Sequence, residues 1–241
     1  MDRLTRHELK QDDFREAVDQ LDEYLKTHLR EILTVAILGV VVVGTAVGLK
    51  YYLNEQEIEA NAELAVALRT FGADVGNVNA DALSSSNPTV FLTAKNKYQK
   101  AFEQFSAIQL KYRMFPRPKA VNIARYHMGI CESLAGNSAA ALSILTEVSR
   151  DHDKEIASLG QFGLAGEFLK TGKKDEALKI YQNLADHPTL AVPKASAQLG
   201  MADALKDSQP ERARQLYAQI QRESGSSSIA EAMREQMAEV H

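Results

Sequence analysis

Histidine and cysteine are the side chains best suited to bind a metal or act as a nucleophile, and this chain has six histidines and one cysteine. No two histidines have the i, i+3 or i, i+4 spacing of a helical metal pair, so each is expected to be solvated or locally hydrogen-bonded. Cys131 has no partner for an intramolecular disulfide and lies in an apolar helical stretch, which favours a buried side chain over a reactive thiol. The histidines are His7, His28, His127, His152, His187 and His241.

The other candidate motifs lack a chemical signature. Gly163-Leu164-Ala165-Gly166 has no G-x-x-x-x-G-K pattern and no preceding strand, so small residues for close helix packing are the better interpretation. The serine clusters at 84–86 and 226–228 are expected in loops, the second before a last helix over 229–240. The net charge of −4 argues against a nucleic-acid partner. We therefore predict no enzyme, no metal and no cofactor.

The element that organises the chain is Ile32–Leu49, eighteen residues without a formal charge. With Tyr51, Tyr52 and Leu53 it forms an apolar segment of about 22 residues, roughly 33 Å of helix, enough to cross a bilayer core of about 30 Å. Alternatives are a buried helix of a soluble core and a cleaved signal peptide. The 31 preceding residues are acidic and the run is long for a signal peptide, which favours an uncleaved transmembrane helix over 32–53.

The segment before the span, 1–31, is polar and includes an amphipathic helix, which Asp12 or Asp13 could cap and which would run to about Leu29. Its apolar stripe needs a partner protein or self-association to cover it. Lys and Arg near the span are slightly more frequent on the N-terminal side. This predicts that the N-terminus lies in the cytoplasm and that residues 54–241 face outward.

Inside the span, Gly44 and Gly48 form a G-x-x-x-G motif. Small residues on one face let two helices approach closely, so the pair suits homo-oligomerisation through the membrane helix or docking on another membrane protein. The same motif also arises by chance in Gly/Ala-rich spans.

Beyond the span there is no Pro or Gly until Gly72, so the helix is predicted to continue to about Phe71. Its expected packing face consists of Ile58, Ala62, Ala65, Leu68 and Phe71. A loop insertion over 72–93 follows, rich in Gly, Asn and Ser. Helical spacing returns over 90–112, on a face made of Tyr98, Ala101, Phe102, Phe105, Ile108 and Tyr112.

The C-terminal half has an internal period of 36 residues, shown by Ala141, Ala177 and Ala213. Large apolar residues follow each alanine at fixed offsets: Leu145, Tyr181 and Tyr217 at four, and Val148, Leu184 and Ile220 at seven. Turns repeat with them at Gly136-Asn137, Gly172-Lys173 and Ser208-Gln209. A period of this size predicts stacked helical hairpins, because no single hairpin buries its apolar face alone.

These residues resemble the tetratricopeptide pattern A-x3-F…P. Leu164-Ala165 stands where the pattern has L-G and Phe168 where it has Tyr, but Glu132 replaces that Tyr in the preceding repeat, and all three repeats lack the Trp. Ala101 and Phe105 look like the second helix of an earlier repeat whose first helix, 56–71, is separated from it by the insertion. The resemblance implies an all-α fold: a single transmembrane helix followed by a tetratricopeptide-like α-solenoid of helical hairpins.

The whole layout is similar to the membrane-anchored ancillary subunit of the bacterial Sec translocon, whose repeat domain resembles that of a cell-division coordinator. That resemblance implies a non-enzymatic scaffold that docks beside a translocon and contacts periplasmic chaperones or clients. It also implies a concave surface lined by first helices: Ile123, Tyr126, Ile130, Leu159, Phe162, Leu169 and Lys170. Most of these could equally be core between helices, and the binding interpretation requires Tyr126 and Phe162 to be partly exposed.

Two rival functions remain open at this stage. One is a repeat adaptor for a membrane complex in the reverse orientation, facing the cytoplasm. The other is a sensor or enzyme whose site lies in the 72–93 insertion, which clustered polar groups there would support.

Overall fold

The computed structural model describes residues 6–76, 90–114 and 116–224, with side chains from Thr27 onward except Ile32, Val90 and Ser224. The fold is all-α, as predicted from the helical periodicities. The described helices are α1 (Arg6–Phe71), α2 (Ala94–Lys111), α3 (Lys119–Leu134), α4 (Ser138–Val148), α5 (Lys154–Lys170), α6 (Lys174–Asp186), α7 (Lys194–Leu205) and α8 (Pro210–Ser224). The predicted helix over 229–240 and the serines at 84–86 and 226–228 lie outside the described residues.

The chain divides into two units, one ending at Glu55 and the other beginning at Gln56. Within the described residues, α1 is the one helix long and apolar enough to span a membrane. Its apolar window is 0% buried, and Val40, near the middle of the run, is 72% exposed. A core helix of a soluble protein would hide such side chains, so the structure does not support the buried-core alternative.

Helix α1 begins earlier and runs longer than the separate helices predicted on either side of residue 31. It starts at Arg6 rather than near Asp12 or Asp13, and no break occurs before Phe71. Once a helix has formed, each added residue gains a hydrogen bond without a new nucleation cost. No Pro occurs before residue 71, and the first Gly is Gly39 within the apolar run. The predicted continuation of the helix past residue 53 is confirmed.

The packing face of α1 in the second unit is not the one that the sequence pattern indicated. Ile58 is 63% exposed, and Ala62 and Ala65 are also exposed, whereas Leu68 and Phe71 are partly buried. The side chains in the core are instead Ala60, Leu64 and Ala67. An alanine-rich helix has more than one apolar face with helical spacing, and only the position of α2 determines which face is covered.

The predicted loop over 72–93 contains a short parallel pairing. Strand β1 (Asp74–Val75) pairs with strand β2 (Val90–Phe91), with Asp74 opposite Val90. Lys97 Nζ also donates a 3.0 Å hydrogen bond to the Ala73 carbonyl oxygen, which joins the start of the insertion to α2. Strands of two residues are too short to show an alternation of apolar and polar residues, so the sequence pattern did not predict them.

From Gln56 onward, consecutive helices pack against one another in chain order, and α3 also contacts α5, as α5 contacts α7. The 36-residue period corresponds to equivalent positions in α4, α6 and α8, where Ala141, Ala177 and Ala213 are each 0% exposed. The side chains four and seven residues after each alanine are also buried. The small alanine side chain lets each second helix approach the first closely, so the repeat in the sequence is a repeat in packing.

The turns inside the hairpins follow two geometries. Gly136 and Gly172 have φ of +88° and +80°, the left-handed conformation that ends a helix most readily at glycine. The residue after each glycine donates a 2.8 Å backbone hydrogen bond five residues back: Asn137 to Glu132 and Lys173 to Phe168. The third turn has Ser208 in place of glycine, and there Gln209 N donates 2.7 Å to the Leu205 carbonyl oxygen without a positive φ.

Candidate functional site

The candidate site lies where two first helices of successive hairpins, α3 and α5, approach closely. A Cβ atom at Gly163 would lie 2.9 Å from Leu145 Cδ2 and 3.2 Å from both Tyr126 Cε2 and Ile130 Cδ1. A Cβ atom at Gly166 would meet only an ordinary contact at 3.7 Å. The close-packing role predicted for the small residues at 163–166 is therefore confirmed at Gly163.

We call the residues at this junction the α3–α5 seam. The seam consists of Tyr126, Ile130 and Ser133 of α3 and Gly163, Glu167 and Lys170 of α5, whereas Phe162, which precedes Gly163, contacts Tyr181 of α6. Its first part is aromatic and apolar, and its second part, near the C-terminal ends of both helices, is polar.

The aromatic side chains at and beside the seam combine packing with partial exposure. Tyr126 and Phe162 are both partly buried, and the Phe162 ring meets the Tyr181 ring edge-on at a centroid distance of 5.4 Å. Burial raises the pKa of Tyr126, and burial with the nearby Asp203 carboxylate raises that of Tyr181. Both phenols therefore stay protonated at neutral pH, and Tyr126, which unlike Tyr181 is only partly buried, can donate a hydrogen bond to a bound partner.

The polar part of the seam is a chain of hydrogen bonds around Ser133. Lys170 Nζ donates to Ser133 Oγ at 2.7 Å, and the Ser133 hydroxyl donates to Glu167 Oε2. Glu167 is only 1% exposed, and its Oε1 atom has no hydrogen-bond partner among the described residues. A buried acceptor without a donor costs free energy, so Glu167 Oε1 is an energetically unfavourable feature of the seam interior.

The seam brings together three of the seven predicted partner-binding residues: Tyr126, Ile130 and Lys170. The other four lie elsewhere: Ile123 packs against the core around Phe105, while Leu159, Phe162 and Leu169 pack against the core around Tyr181. All six apolar residues of the predicted set are partly buried, and Lys170 is exposed. Tyr126 and Phe162 are thus neither fully buried nor fully exposed, and the partner-binding role of the set stays a prediction.

Sequence reasoning did not identify Ser133, Glu167 or Tyr181 as part of this region. Glu167 lies 36 residues after the buried Cys131 and 36 residues before the acidic Asp203, so the repeat did not show that its side chain is buried. Ser133 gave no signal either, since serine is common near helix ends.

One histidine contradicts the expectation of solvated or locally bonded side chains. The His127 ring stacks on Phe105 at 5.2 Å and meets Phe71 edge-on at 5.3 Å, and its Nδ1 atom has no partner among the described residues. Burial lowers the pKa of His127 to about 4, so the ring is neutral at pH 7. His187 does follow the expectation, with Nδ1 lying 3.2 Å from the Asn183 carbonyl oxygen.

The remaining candidates show no chemistry. Cys131 is 1% exposed, and burial raises the pKa of its thiol to about 12, as expected for a structural cysteine. The residues that the structure describes contain no group of three or more His, Cys, Asp or Glu side chains that could hold a metal. Added Cβ atoms at Gly44 and Gly48 would meet nothing within 4 Å, so their predicted role in helix pairing stays a prediction.

The structure has a cavity of about 500 Å³ between α2 and α3, lined in part by Tyr98, Phe102, Cys131 and Glu132. It is open and mostly apolar, and none of the seven predicted partner-binding residues lines it.

Comparisons with protein-family models, with curated proteins and with solved structures returned no match for this chain.

Proposed function

We propose that this protein is a non-enzymatic, membrane-anchored scaffold in which tetratricopeptide-like hairpins bind other proteins. The apolar run of α1 serves as the anchor, and the hairpins after Gln56 form the binding domain. The N-terminus lies in the cytoplasm of a bacterial cell, and the repeat domain lies on the periplasmic side of the inner membrane.

The observation that supports this proposal best is the position of Tyr126 and Phe162. They are 36 residues apart, lie on first helices of successive hairpins, and keep part of each aromatic ring exposed. Partly exposed aromatic residues on well-packed helices are typical anchors for a partner helix or extended segment.

The resemblance in layout to the ancillary Sec translocon subunit supports a more specific form of the proposal. In that form the protein docks beside a membrane complex such as a translocon and contacts periplasmic chaperones or emerging clients. Gly44 and Gly48 provide a helix face for the membrane complex or for a second copy of the chain.

Photocrosslinking in cells tests the binding surface. A photoreactive amino acid in place of Tyr126 or Phe162 is expected to form discrete adducts that mass spectrometry identifies as envelope proteins. The matched control is the same amino acid at Ser143, an exposed residue on α4, which should give no such adducts. Identical adduct patterns at all three positions would refute a specific surface on the first helices.

A reporter fused after His241 tests the orientation. A reporter that is active only outside the cytoplasm should be active in this fusion. Activity of a cytoplasmic reporter at the same position would instead favour the reverse-facing adaptor.

A further inference from the structure

The connections of the second unit alternate between two ends of the helix stack. One end, which we call the loop end, holds the start of the second unit at Gln56, the end of α8, and the connections 112–118, 149–153 and 187–193 that join successive hairpins. Contacts across this end agree with the assignment: Lys111 Nζ lies 2.9 Å from Glu59 Oε1 of α1, and Ala191 N donates 2.7 Å to Glu155 Oε2. The turns inside the hairpins lie at the opposite end, which we call the turn end.

The loop end presents the two most exposed large apolar side chains of the described part of the second unit. Leu190 is 94% exposed and Met114 is 77% exposed. The backbone beside Leu190 is held in place, since Thr189 N donates 3.1 Å to the Val192 carbonyl oxygen and Thr189 Oγ1 lies 2.8 Å from Ser158 Oγ. Leu190 and Met114 thus place exposed apolar side chains on two separate connections of the same end.

Exposed arginines lie beside these apolar side chains. Arg113 and Arg117 flank Met114 in the same connection, and Arg150 lies in the next one. Among the described residues, none of the three guanidinium groups has a carboxylate within 4 Å; Arg117 Nε donates instead to the Arg113 carbonyl oxygen at 3.2 Å. Arginine is the side chain best matched to phosphate oxygens, because its donors form a planar fork.

Acidic groups share this end, but the protein's own donors occupy them. Glu59 and Glu63 accept from Lys111, and Glu57 accepts from the backbone N–H of Lys119. In the next connection, Asp151 and Asp153 accept from backbone N–H groups. The carboxylates of the loop end are thus internally paired, while the arginines remain available.

We propose that the loop end binds the phospholipid surface of the membrane, with Arg113, Arg117 and Arg150 on lipid phosphates and Met114 and Leu190 at the acyl boundary. This inference rests on the membrane anchoring in the proposed function. The predicted span ends at Leu53 and the second unit begins at Gln56, and these three residues cover at most about 11 Å. A surface tethered that close to a bilayer meets lipid at high effective concentration.

Lipid quenching of a fluorophore tests this proposal in the full-length chain reconstituted in nanodiscs. Single cysteines are introduced as Met114→Cys and Leu190→Cys and labelled with the fluorophore. Cys131 does not react with the label because it is buried. Lys206→Cys, an exposed position at the turn end, is the matched control, and Val43→Cys reports whether the apolar run is in the bilayer. Quencher-bearing lipids are expected to quench the labels at 114, 190 and 43, and not the label at 206.

The double variant R113E/R117E is then combined with each label. Quenching at 114 and 190 is expected to be lost while quenching at 43 persists, and R113Q/R117Q should give the same loss without reversed charge. If the label at 43 is quenched, but the labels at 114 and 190 are quenched no more than the label at 206, the lipid contact of the loop end is refuted and the membrane anchor is supported. If the label at 43 is not quenched, the anchor itself is refuted. Undiminished quenching in both double variants would refute the arginine–phosphate contacts.

Discussion

At the scale of single residues, His127 is the group whose environment differs most from its behaviour in water. Its ring lies among Phe71, Phe105 and Tyr126, and nothing in the described residues hydrogen-bonds to Nδ1. A histidine in such a place acts as an aromatic core residue that must stay neutral.

This burial makes stability depend on pH. The pKa of His127 is about 4 in the folded protein, against 6.5 for an ordinary histidine. Between these values the unfolded chain binds a proton that the folded chain does not, so stability is complete above about pH 6.5 and falls as the pH drops towards 4. We expect a loss of about 3 kcal/mol across this window from this one group. Thermal unfolding in detergent, followed by tyrosine fluorescence, measures it. His127→Phe should flatten the pH dependence, and an unchanged slope in that variant would contradict the assignment.

Gly160 gives a second prediction at this scale. A Cβ atom there would clash with Ser149 N and lie 2.6 Å from the Val148 carbonyl carbon. Both are backbone atoms, so no change of side-chain rotamer can relieve the clash. Gly160→Ala is therefore expected to destabilise the protein by about 3 kcal/mol in thermal unfolding. The control is Gly166→Ala, whose Cβ has room and should leave stability unchanged or raise it by about 0.5–1 kcal/mol. Equal effects at the two glycines would mean that α5 does not cross α4 as described.

At the scale of elements, the turns show which local signals determine backbone conformation. Gly136 and Gly172 have a positive φ and no atom near their missing Cβ, so their requirement for glycine comes from the backbone alone. Gly136→Ala and Gly172→Ala should each cost about 1 kcal/mol. Ser208→Ala in the third turn, which has no positive φ, should change the melting temperature little. A comparable loss at Ser208 would show that the three turns share one geometry.

Several helix ends were predictable to within a few residues because Gly or Pro follows them, as at Gly136 after α3 and Gly172 after α5. The stretches on either side of the Gly136-Asn137 turn predict helices over 122–135 and 139–150, and α3 and α4 are observed at Lys119–Leu134 and Ser138–Val148. The packing face of α1 was not predictable in the same way. Its alanines fit two faces equally, and contact with α2 decides between them.

At the scale of the whole molecule, the apolar run of α1 governs the proposed location. Placing Arg at Val40 and Val43 should cost about 2.5–3.5 kcal/mol each for insertion and move the protein from the membrane fraction to the soluble or degraded fraction. Carbonate extraction and immunoblotting measure this. Ile58→Arg, an exposed residue beyond the run, is the control and should remain membrane-bound. Retention of the double variant in the membrane would contradict the anchor.

The candidate site was predictable in part. The 36-residue period placed Tyr126 and Phe162 on equivalent turns of successive first helices, and the structure keeps both partly exposed. The period could not show that Ser133 of one hairpin meets Glu167 and Lys170 of the next. These contacts depend on how closely α3 and α5 approach at Gly163, and that distance is set by packing across the hairpins.

The sequence by itself determined the helical class, the uncharged run of α1 and the alanine positions around which the hairpins close, because each follows from periodicity along one chain segment. Tertiary structure alone decided which face of α1 is buried, where His127 lies, and which polar groups meet at the α3–α5 seam. Each of these depends on residues far apart in the chain, and their contacts arise only when neighbouring helices fit together.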